Sequence, residues 1–213
     1  MKKIKIQILI DNPNSWMWDH IEFYKKKLIK EGFECKAVNS ESKVEKGDIL
    51  LLLSCNRLYK SLNLNKHNIV VHASDLPKGK GMSPVTWQVL EGKDKIPITL
   101  FEAEEEFDSG KYYYKDYINL EGHELVDEIR KNLTEKIFKL IDKFLINYPK
   151  IKSFSQVGSS TFYPKRLPKD SELDIYISLF SNIKKLRISD NERYPSFFYY
   201  KGHKYFIKIF KSK

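Results

Sequence analysis

Two side chains of the sequence have the types that proton transfer requires, and each follows an apolar segment. His72 ends the apolar run of residues 68–72, and Asp108 lies in the turn Phe107-Asp-Ser-Gly110. Imidazole and carboxylate groups act together as general acids and bases when a fold brings them into one pocket. A histidine at a strand end is often only a hydrogen-bonded structural residue, and an Asp-Ser-Gly turn requires no function. The surrounding residues therefore decide between the two interpretations.

The loop after His72 combines a rigid bend with two flexible positions. Its sequence is His72-Ala-Ser-Asp-Leu-Pro-Lys-Gly-Lys-Gly-Met-Ser-Pro84. Pro77 fixes the local backbone, and Gly79 and Gly81 allow main-chain amides to approach a ligand closely. The candidate substrate-binding side chains of this loop are Ser74, Lys78 and Lys80.

Alternating strands and helices position these residues. The predicted strands cover residues 4–10, 33–38, 48–53, 68–72, 96–102 and 111–117, and the predicted helices cover residues 19–31, 84–91 and 121–148. We expect the second helix to begin with Ser83 as its N-cap and Pro84 at its first position. This alternation is typical of an open α/β sheet with right-handed crossovers. We therefore predict an open, mostly parallel Rossmann-like sheet with flanking helices.

Polar loops follow four of the predicted strands. They cover residues 11–18, 54–58, 72–84 and 102–110. Ligands of open α/β sheets bind beyond the carboxyl ends of the strands, so we expect the four loops to form one pocket. The first loop holds Asn12, Asn14, Trp16 and Trp18. Its tryptophans are suited to stacking on a base or sugar, and equally to fixing the start of the first helix.

The C-terminal part of the chain has a different composition. Pro149 ends the last long helix, and residues 151–168 are rich in Ser, Gly, Pro and Lys, which predicts a boundary. We assign residues 1–150 to a catalytic domain and residues 151–213 to a linker and a small C-terminal α/β annex. The annex is predicted to contain a helix at 174–186 and a hairpin turn at Lys201-Gly202. Its aromatic residues exceed what a small hairpin can bury, so they pack on the main domain or form a homodimer.

Charge and composition exclude several classes of protein. The 213 residues carry a formal net charge of +10, from 33 Lys and 5 Arg. Because arginine is the side chain favoured in phosphate and base recognition, this excess of lysine argues against nucleic acid as a partner. No apolar run approaches the length of a membrane span. Two cysteines, Cys35 and Cys55, are too few for a disulfide scaffold and predict a cytoplasmic location. We predict no metal site.

The motifs from His72 onward resemble those of the formyltransferase family that uses 10-formyltetrahydrofolate. The family pattern is a His, then Ser-Leu-Leu-Pro-x-x-x-Gly-x-x-Pro, a helix, a strand and a Leu-Asp-Thr-Gly turn. The counterparts here are His72, Ser74-Asp-Leu-Pro77, Gly81, Pro84 and Phe107-Asp-Ser-Gly110. Thr161-Phe-Tyr-Pro-Lys-Arg166 and Arg193-Tyr-Pro-Ser-Phe-Phe198 resemble the family's linker and its Tyr-Pro-Gly/Ala-Phe segment.

One position departs from the family pattern. The family carries a catalytic Asn two residues before the His, and this chain has Val70 there, with Asn68 two residues further upstream. Either the chain belongs to a subclass that acts without the Asn, or it has lost activity. The intact remaining motifs favour the active subclass.

The resemblance implies attack of a substrate amine on the formyl carbon of 10-formyltetrahydrofolate. His72 would donate to the oxyanion or relay the proton, and Asp108 would orient the imidazole and help to take the amine proton. A backbone amide, Ser74 or Asn56 is a candidate for the missing oxyanion donor. The predicted folate-binding residues are Ser54, Cys55, Asn56, Leu58, Glu102 and Glu105. Cys55 is expected to be a small buried residue and not a nucleophile.

The resemblance also restricts the acceptor. Methionyl-tRNA enzymes of the family carry a substantial C-terminal domain, for which the residues after the linker are too few, whereas sugar-nucleotide N-formyltransferases keep a short annex. A nucleotide-linked amino sugar is therefore implied, such as the UDP-4-amino-4,6-dideoxy sugars of pseudaminic and other nonulosonic acid pathways. The alternatives are a methionyl-tRNA-type or other amine formyltransferase, and a catalytically impaired relative that binds folate or a nucleotide sugar.

Overall fold

Strands and helices alternate through most of the chain, of which a computed structural model describes residues 3–212. The first elements are β1 (Lys5–Leu9), α1 (Trp18–Lys30), β2 (Glu34–Val38), β3 (Gly47–Leu52), β4 (Asn65–His72), β5 (Lys80–Gly81), α2 (Pro84–Leu90), β6 (Lys95–Glu102), β7 (Tyr112–Asn119) and α3 (Val126–Asn147). The C-terminal elements are β8 (Phe162–Tyr163), α4 (Leu179–Arg187), β9 (Ser196–Tyr200) and β10 (His203–Ile207).

A six-stranded sheet in the order β2-β1-β3-β4-β6-β7 forms the centre of the molecule. The first four strands run parallel to one another, β6 is antiparallel to β4, and β7 is antiparallel to β6. The prediction of an open, mostly parallel α/β sheet is therefore confirmed.

The direction of β6 contradicts one expectation. Because β6 is antiparallel, Glu102 at its carboxyl end pairs with Ile69, whereas His72 at the end of β4 pairs with Thr99. The carboxyl end of β6 therefore lies at the opposite end of the strands from His72. The loop after β6 must turn back to reach His72. The apolar pattern of a buried strand does not encode its direction, so the sequence could not reveal this reversal.

Both faces of the sheet are buried. Alternate residues of β3 point to opposite sides, so Ile49 and Leu51 join the main core whereas Leu50 and Leu52 join a smaller cluster with Tyr59. Burial on both sides explains why β3 reads as a continuous apolar run. The main core contains Ile21, Tyr24 and Leu28 of α1, and Ile129, Leu133, Ile137, Leu140, Ile141, Phe144 and Leu145 of α3.

The C-terminal part packs directly on this body. Ile188 belongs to the main core, and Arg187 forms a buried ion pair with Glu124 at 3.3 Å. β8 pairs with β5 in parallel orientation. The hairpin predicted at Lys201-Gly202 is confirmed by the antiparallel pairing of β9 with β10. The helix predicted at 174–186 begins only at Leu179, and the domain boundary at residue 150 stays a prediction.

Candidate active site

All four predicted loops contribute residues to one cavity of about 470 Å³, and the loop of residues 54–58 lines it in full. This volume lies in the range of small-molecule binding sites. The lining includes His72, Asp108, Asn12, Asn14, Trp16, Ser54, Cys55, Asn56 and Leu58 among the predicted site residues. The fold therefore brings together His72, Asp108 (the reactive pair of the prediction) and most of the predicted binding residues.

His72 and Asp108 face each other across a short gap. His72 Nδ1 lies 3.8 Å from Asp108 Oδ1, and each side chain is only 10% exposed. His72 Nε2 lies 2.8 Å from the Gly79 carbonyl oxygen. Since a carbonyl can only accept a hydrogen bond, Nε2 carries the proton of the neutral imidazole and the Nδ1 lone pair is directed toward Asp108. The gap is too long for a direct hydrogen bond, so a proton donor that contacts both atoms would bridge them.

One peptide unit of the loop holds His72 in this state. The carbonyl of Gly79 accepts from His72, and at the other end of the same peptide the Lys80 amide donates to the Thr161 carbonyl at 2.9 Å. The Gly79 amide donates to Thr161 Oγ1 at 2.8 Å. The linker before β8 therefore orients the carbonyl on which the histidine depends.

The second loop glycine holds the carboxylate. The Gly81 amide donates to Asp108 Oδ2 at 2.9 Å, and Gly81 has φ +96°. A Cβ at this position would overlap the Tyr163 carbonyl. We expected the loop glycines to bring amides close to a ligand. Instead the Gly79 and Gly81 amides bond to the linker and to Asp108.

Strained backbone is concentrated around the cavity. Ser54, Ser83 and Asp108 have φ values of 58°, 52° and 53°, and all three line the cavity. Such conformations cost about 1–3 kcal/mol each and cluster at functional sites. Ser83 occupies the N-cap position of α2 as expected, but its backbone is left-handed and its side chain makes no hydrogen bond to the helix. Pro84 does occupy the first turn as expected.

The loop of residues 54–58 is held by groups that the sequence did not mark. Asp11 accepts hydrogen bonds from the amides of Asn56 at 2.7 Å and Arg57 at 3.0 Å. Ser15 donates to Ser54 between their hydroxyl groups at 2.8 Å. These contacts fix the main chain of the loop, and its exposed groups face the cavity.

Two of the predicted folate-binding residues, Glu102 and Glu105, do not line the cavity. The Glu102 carboxylate lies at the opposite end of β4, where it accepts from the Tyr113 hydroxyl at 2.7 Å and bonds to His67 at 2.9 Å. This placement follows from the antiparallel direction of β6. The acidic residues that do line the cavity from this loop are Glu104 and Glu106, together with Asp108.

Four predicted substrate-binding residues also lie outside the lining. Trp18 donates its indole N–H to the Asn12 carbonyl at 3.1 Å, so it shapes the first loop from behind. Ser74 is only 2% exposed. Lys78 is exposed, and Lys80 lies over the Phe162 ring. Ser74 is therefore not placed to act as an oxyanion donor, whereas Asn56 does line the cavity.

The floor of the cavity near the reactive pair is apolar. Val70 pairs with Leu52 on one side and Phe101 on the other, and all three line the cavity. Asn68 is buried in the same strand and donates its side-chain amide to the Leu62 carbonyl at 2.8 Å. Asn68 therefore does not replace the amide that the family has at position 70.

Basic residues of the lining were missed. Arg57, Arg130, Arg166 and Arg193 all line the cavity, as do Lys165 and Tyr194. They come from distant parts of the chain, and none was chosen from the sequence. The sequence feature that could have identified them is the rarity of arginine. Four of the chain's 5 arginines line this cavity.

Comparison with known proteins points to one family. A family model for formyl transferase matches residues 22–143, more than half of the chain. Methionyl-tRNA formyltransferase of Thermosipho melanesiensis is 32% identical over 153 residues, which cover 71% of this chain and 48% of that protein. The chain therefore spans about half the length of the relative.

Two solved structures share the fold. Methionyl-tRNA formyltransferase from Clostridium thermocellum superposes with a TM-score of 0.80 at 20% identity, covering 94% of this chain and 90% of that one. A sugar N-formyltransferase from a Shewanella species superposes with a TM-score of 0.67 at 15% identity, covering 97% of each chain.

The bond to Gly79 predicts which tautomer His72 adopts. At a pH where the imidazole is neutral, we expect His72 to be protonated at Nε2 and bare at Nδ1. Two-bond ¹H–¹⁵N correlation spectra of the folded protein distinguish the two tautomers directly. The exposed His203 provides the control, because an imidazole in solvent shows a mixture. A predominant Nδ1–H form of His72 would contradict the assignment.

The environment of the cysteines predicts that neither thiol is reactive. Burial, with the nearby Asp11 carboxylate, raises the pKa of Cys55 to about 12, and burial raises the pKa of Cys35 to about 11. The thiolate is the reactive form, so iodoacetamide at pH 8 should leave the folded protein unlabelled. In urea both cysteines should react, which intact-mass measurement would show as two additions. Rapid labelling of the folded protein would refute the prediction.

Proposed function

The chain belongs to the formyl transferase family, and on that basis we propose that it transfers a formyl group from 10-formyltetrahydrofolate to the amino group of a nucleotide-linked amino sugar. The observation that carries this proposal is the pairing of His72 with Asp108 at the wall of a cavity of small-molecule size. Both groups are nearly buried, and each is held by the same glycine-containing loop.

The geometry supports proton transfer as the role of the pair. His72 Nε2 is occupied by the Gly79 carbonyl, so the imidazole accepts a proton at Nδ1. An amine that attacks the formyl carbon must lose a proton, and the folate nitrogen must gain one as its own bond to that carbon breaks. Nδ1 and Asp108 Oδ1 are the two acceptors that face the gap, so a proton received there can pass on to the leaving nitrogen. The imidazolium formed in this way has both N–H groups directed at acceptors, the Gly79 carbonyl and the Asp108 carboxylate. Asp108 thereby stabilises the protonated state.

The cavity wall next to the pair fits a formyl donor of the folate type. This part of the cavity has an apolar floor of Leu52, Val70 and Phe101. Its rim is the main chain of residues 54–58, which the Asp11 carboxylate holds in place. A flat heteroaromatic ring needs such apolar contact together with main-chain donors and acceptors at its edge. With Val70 in the floor, oxyanion stabilisation is assigned to a main-chain amide or to Asn56, which lines the cavity.

Residues from the first loop support an amino sugar carried on a nucleotide as the acceptor. Asn12, Asn14 and Trp16 line the cavity and offer hydrogen bonds for a sugar and a ring for stacking. The proposal extends to a UDP-4-amino-4,6-dideoxy sugar, as in pseudaminic acid or surface-glycan biosynthesis, and to a cytoplasmic location. No helix within residues 3–212 is long and apolar enough to cross a membrane.

We expect substitution of either member of the pair to abolish most of the activity while the fold is retained. His72→Ala and Asp108→Asn should each lower kcat by about 10²–10⁴-fold, the usual contribution of general acid–base catalysis. Asparagine tolerates the left-handed backbone of position 108, so Asp108→Asn removes the charge without adding strain. The measurement is formyl gain by mass spectrometry, with 10-formyltetrahydrofolate and a panel of UDP- and TDP-linked amino sugars and methionyl-tRNA.

His203→Ala is the matched control, because this histidine is exposed on β10 and does not line the cavity. Full activity of either site variant would overturn the assigned roles. Formylation of methionyl-tRNA but of no sugar nucleotide would identify the alternative acceptor. Folate binding without any product would identify a non-catalytic relative, to which the apolar residue at position 70 also points.

We also propose that the C-terminal hairpin mediates a homodimer. Tyr205 and Phe206 on β10 are 46% and 61% exposed, and so are most residues on both faces of the strand. Within the described part of the chain β10 pairs only with β9, which leaves its outer edge open. An apolar strand with a free edge is suited to pairing with a second copy.

Light scattering in solution tests the dimer. We expect a mass of twice 25.2 kDa for the unaltered chain, and a monomer for Phe206→Lys. Phe23→Lys is the control, because Phe23 is 76% exposed on α1 and distant from the hairpin in the chain. A monomeric unaltered chain would contradict the proposal.

A further inference from the structure

The distribution of arginine is uneven. Of the chain's 5 arginines, four line the cavity. The fifth, Arg187, forms a buried ion pair with Glu124. Three of the four, Arg130, Arg166 and Arg193, come from α3 and the C-terminal part, away from the loop of residues 54–58. Arginine presents a planar fork of donors that matches phosphate, so its concentration at one wall is informative.

Arg166 is the most unusual of these residues. It is only 8% exposed, and no carboxylate of residues 3–212 lies within ion-pair distance of its guanidinium. Its hydrogen bonds go to neutral oxygens, the Ile188 carbonyl at 3.1 Å and Ser171 Oγ at 2.9 Å, and its Nε has no partner. Burial lowers its pKa below the ordinary value. The carboxylates of Asp170 and Asp190 act on the guanidinium only from beyond ion-pair distance. A buried charge without a direct partner is costly, so an anion in the cavity would stabilise it.

The neighbouring charges leave a surplus of positive charge. Arg130 lies 2.7 Å from Asp190, and Arg193 lies 3.8 Å from the same carboxylate. Burial alone would raise the pKa of Asp190, but hydrogen bonds from the Arg193 amide and the Arg130 guanidinium lower it, so Asp190 stays ionised. Arg130 also lies 3.7 Å from the exposed Asp127, and Asp170 acts on Arg166 from beyond ion-pair distance. With Lys165 at the rim, four cations face three carboxylates, of which only Asp190 is buried.

The position of this cluster fits a substrate that reaches the reactive pair. Tyr163 pairs with Gly81, whose amide holds Asp108, and Arg166 follows only three residues later. Three extended residues span at most about 11 Å. Two aromatic rings of the cavity wall lie beside the arginines, with Trp16 at 5.7 Å from Arg130 and Tyr194 at 5.5 Å from Arg166. A base could stack at either ring.

We propose that Arg130, Arg166 and Arg193 form the binding site for the diphosphate of the acceptor substrate. This inference rests on the proposed function, because it assigns the part of the nucleotide sugar that does not react. A diphosphate ester carries two negative charges at neutral pH, which suits a cluster in which cations outnumber carboxylates. The site anchors the nucleotide while the sugar amine extends toward His72 and Asp108.

Binding of inorganic pyrophosphate to the full chain without folate tests the site. Calorimetric titration should show binding of pyrophosphate and UDP, and much weaker binding of uridine. Arg166→Lys keeps the charge but removes the planar fork, and Arg193→Gln removes a half-exposed charge. Each should weaken pyrophosphate and UDP binding about tenfold or more. Lys131→Gln is the matched control, since it removes one exposed charge beside Arg130 in the sequence and should change affinity less than twofold.

Several outcomes would overturn the proposal. One is pyrophosphate affinity that stays unchanged in both Arg166→Lys and Arg193→Gln. Another is tighter binding of tri-glutamate than of pyrophosphate with the same arginine dependence, which would assign the cluster to the tail of the folate. A third is tighter binding of decauridylate than of UDP with a steep salt dependence, which would assign it to RNA.

The same variants separate this inference from the proposed function. If a sugar nucleotide is formylated and its KM is unchanged in both arginine variants, the acceptor is right and the diphosphate site is wrong. If pyrophosphate binds with the expected arginine dependence but no sugar nucleotide is formylated, the site stands and the acceptor is wrong. Arg193 lies at the surface side of the cluster, so its variant remains informative should Arg166→Lys fold poorly.

Discussion

The hydrogen bond between His72 and the Gly79 carbonyl determines what the site can do. It decides which nitrogen of the imidazole is free, and therefore where a proton can be received. That carbonyl is itself held because the same peptide donates to the Thr161 carbonyl. Gly81, two residues on, holds Asp108 in a backbone conformation that costs free energy. The sheet contributes only the end of β4, where His72 lies. The loop and the linker determine which imidazole nitrogen of His72 carries the proton.

Much of this arrangement could be predicted from local sequence. The strands and helices of the main body follow from apolar periodicity, and His72 and Asp108 were identified from their positions after apolar runs and from the motif around them. The predictions that failed depend on the direction of a strand or on the hydrogen-bond partners of a side chain. Glu102 was expected at the cavity. Because β6 runs antiparallel to β4, Glu102 lies instead at the opposite end of the strands from His72. Ser83 holds the predicted N-cap position, but residue type alone does not show its left-handed backbone or the missing side-chain bond.

The arginines illustrate a different limit. Composition gives their number, and the excess of lysine over arginine predicts that nucleic acid is not the partner. It could not show that Arg57, Arg130, Arg166 and Arg193 converge, because contacts between residues so distant in the chain form only on folding. A small count of a residue type is uninformative until its placement is known. Here the rare cation is concentrated at the cavity while the abundant one covers the surface.

The pairing of β8 with β5 has a consequence for how such a chain can be rearranged. Residues 161–164 belong by sequence to the C-terminal part, yet they complete the hydrogen bonding of the loop that follows His72 and of the start of α2. A truncation or exchange that begins before residue 161 would remove these hydrogen bonds from the loop. One that begins after Pro164 would keep them but would still remove Ile188 from the main core and Arg187 from its buried pair with Glu124. The C-terminal part is therefore joined to the main body at more than one place.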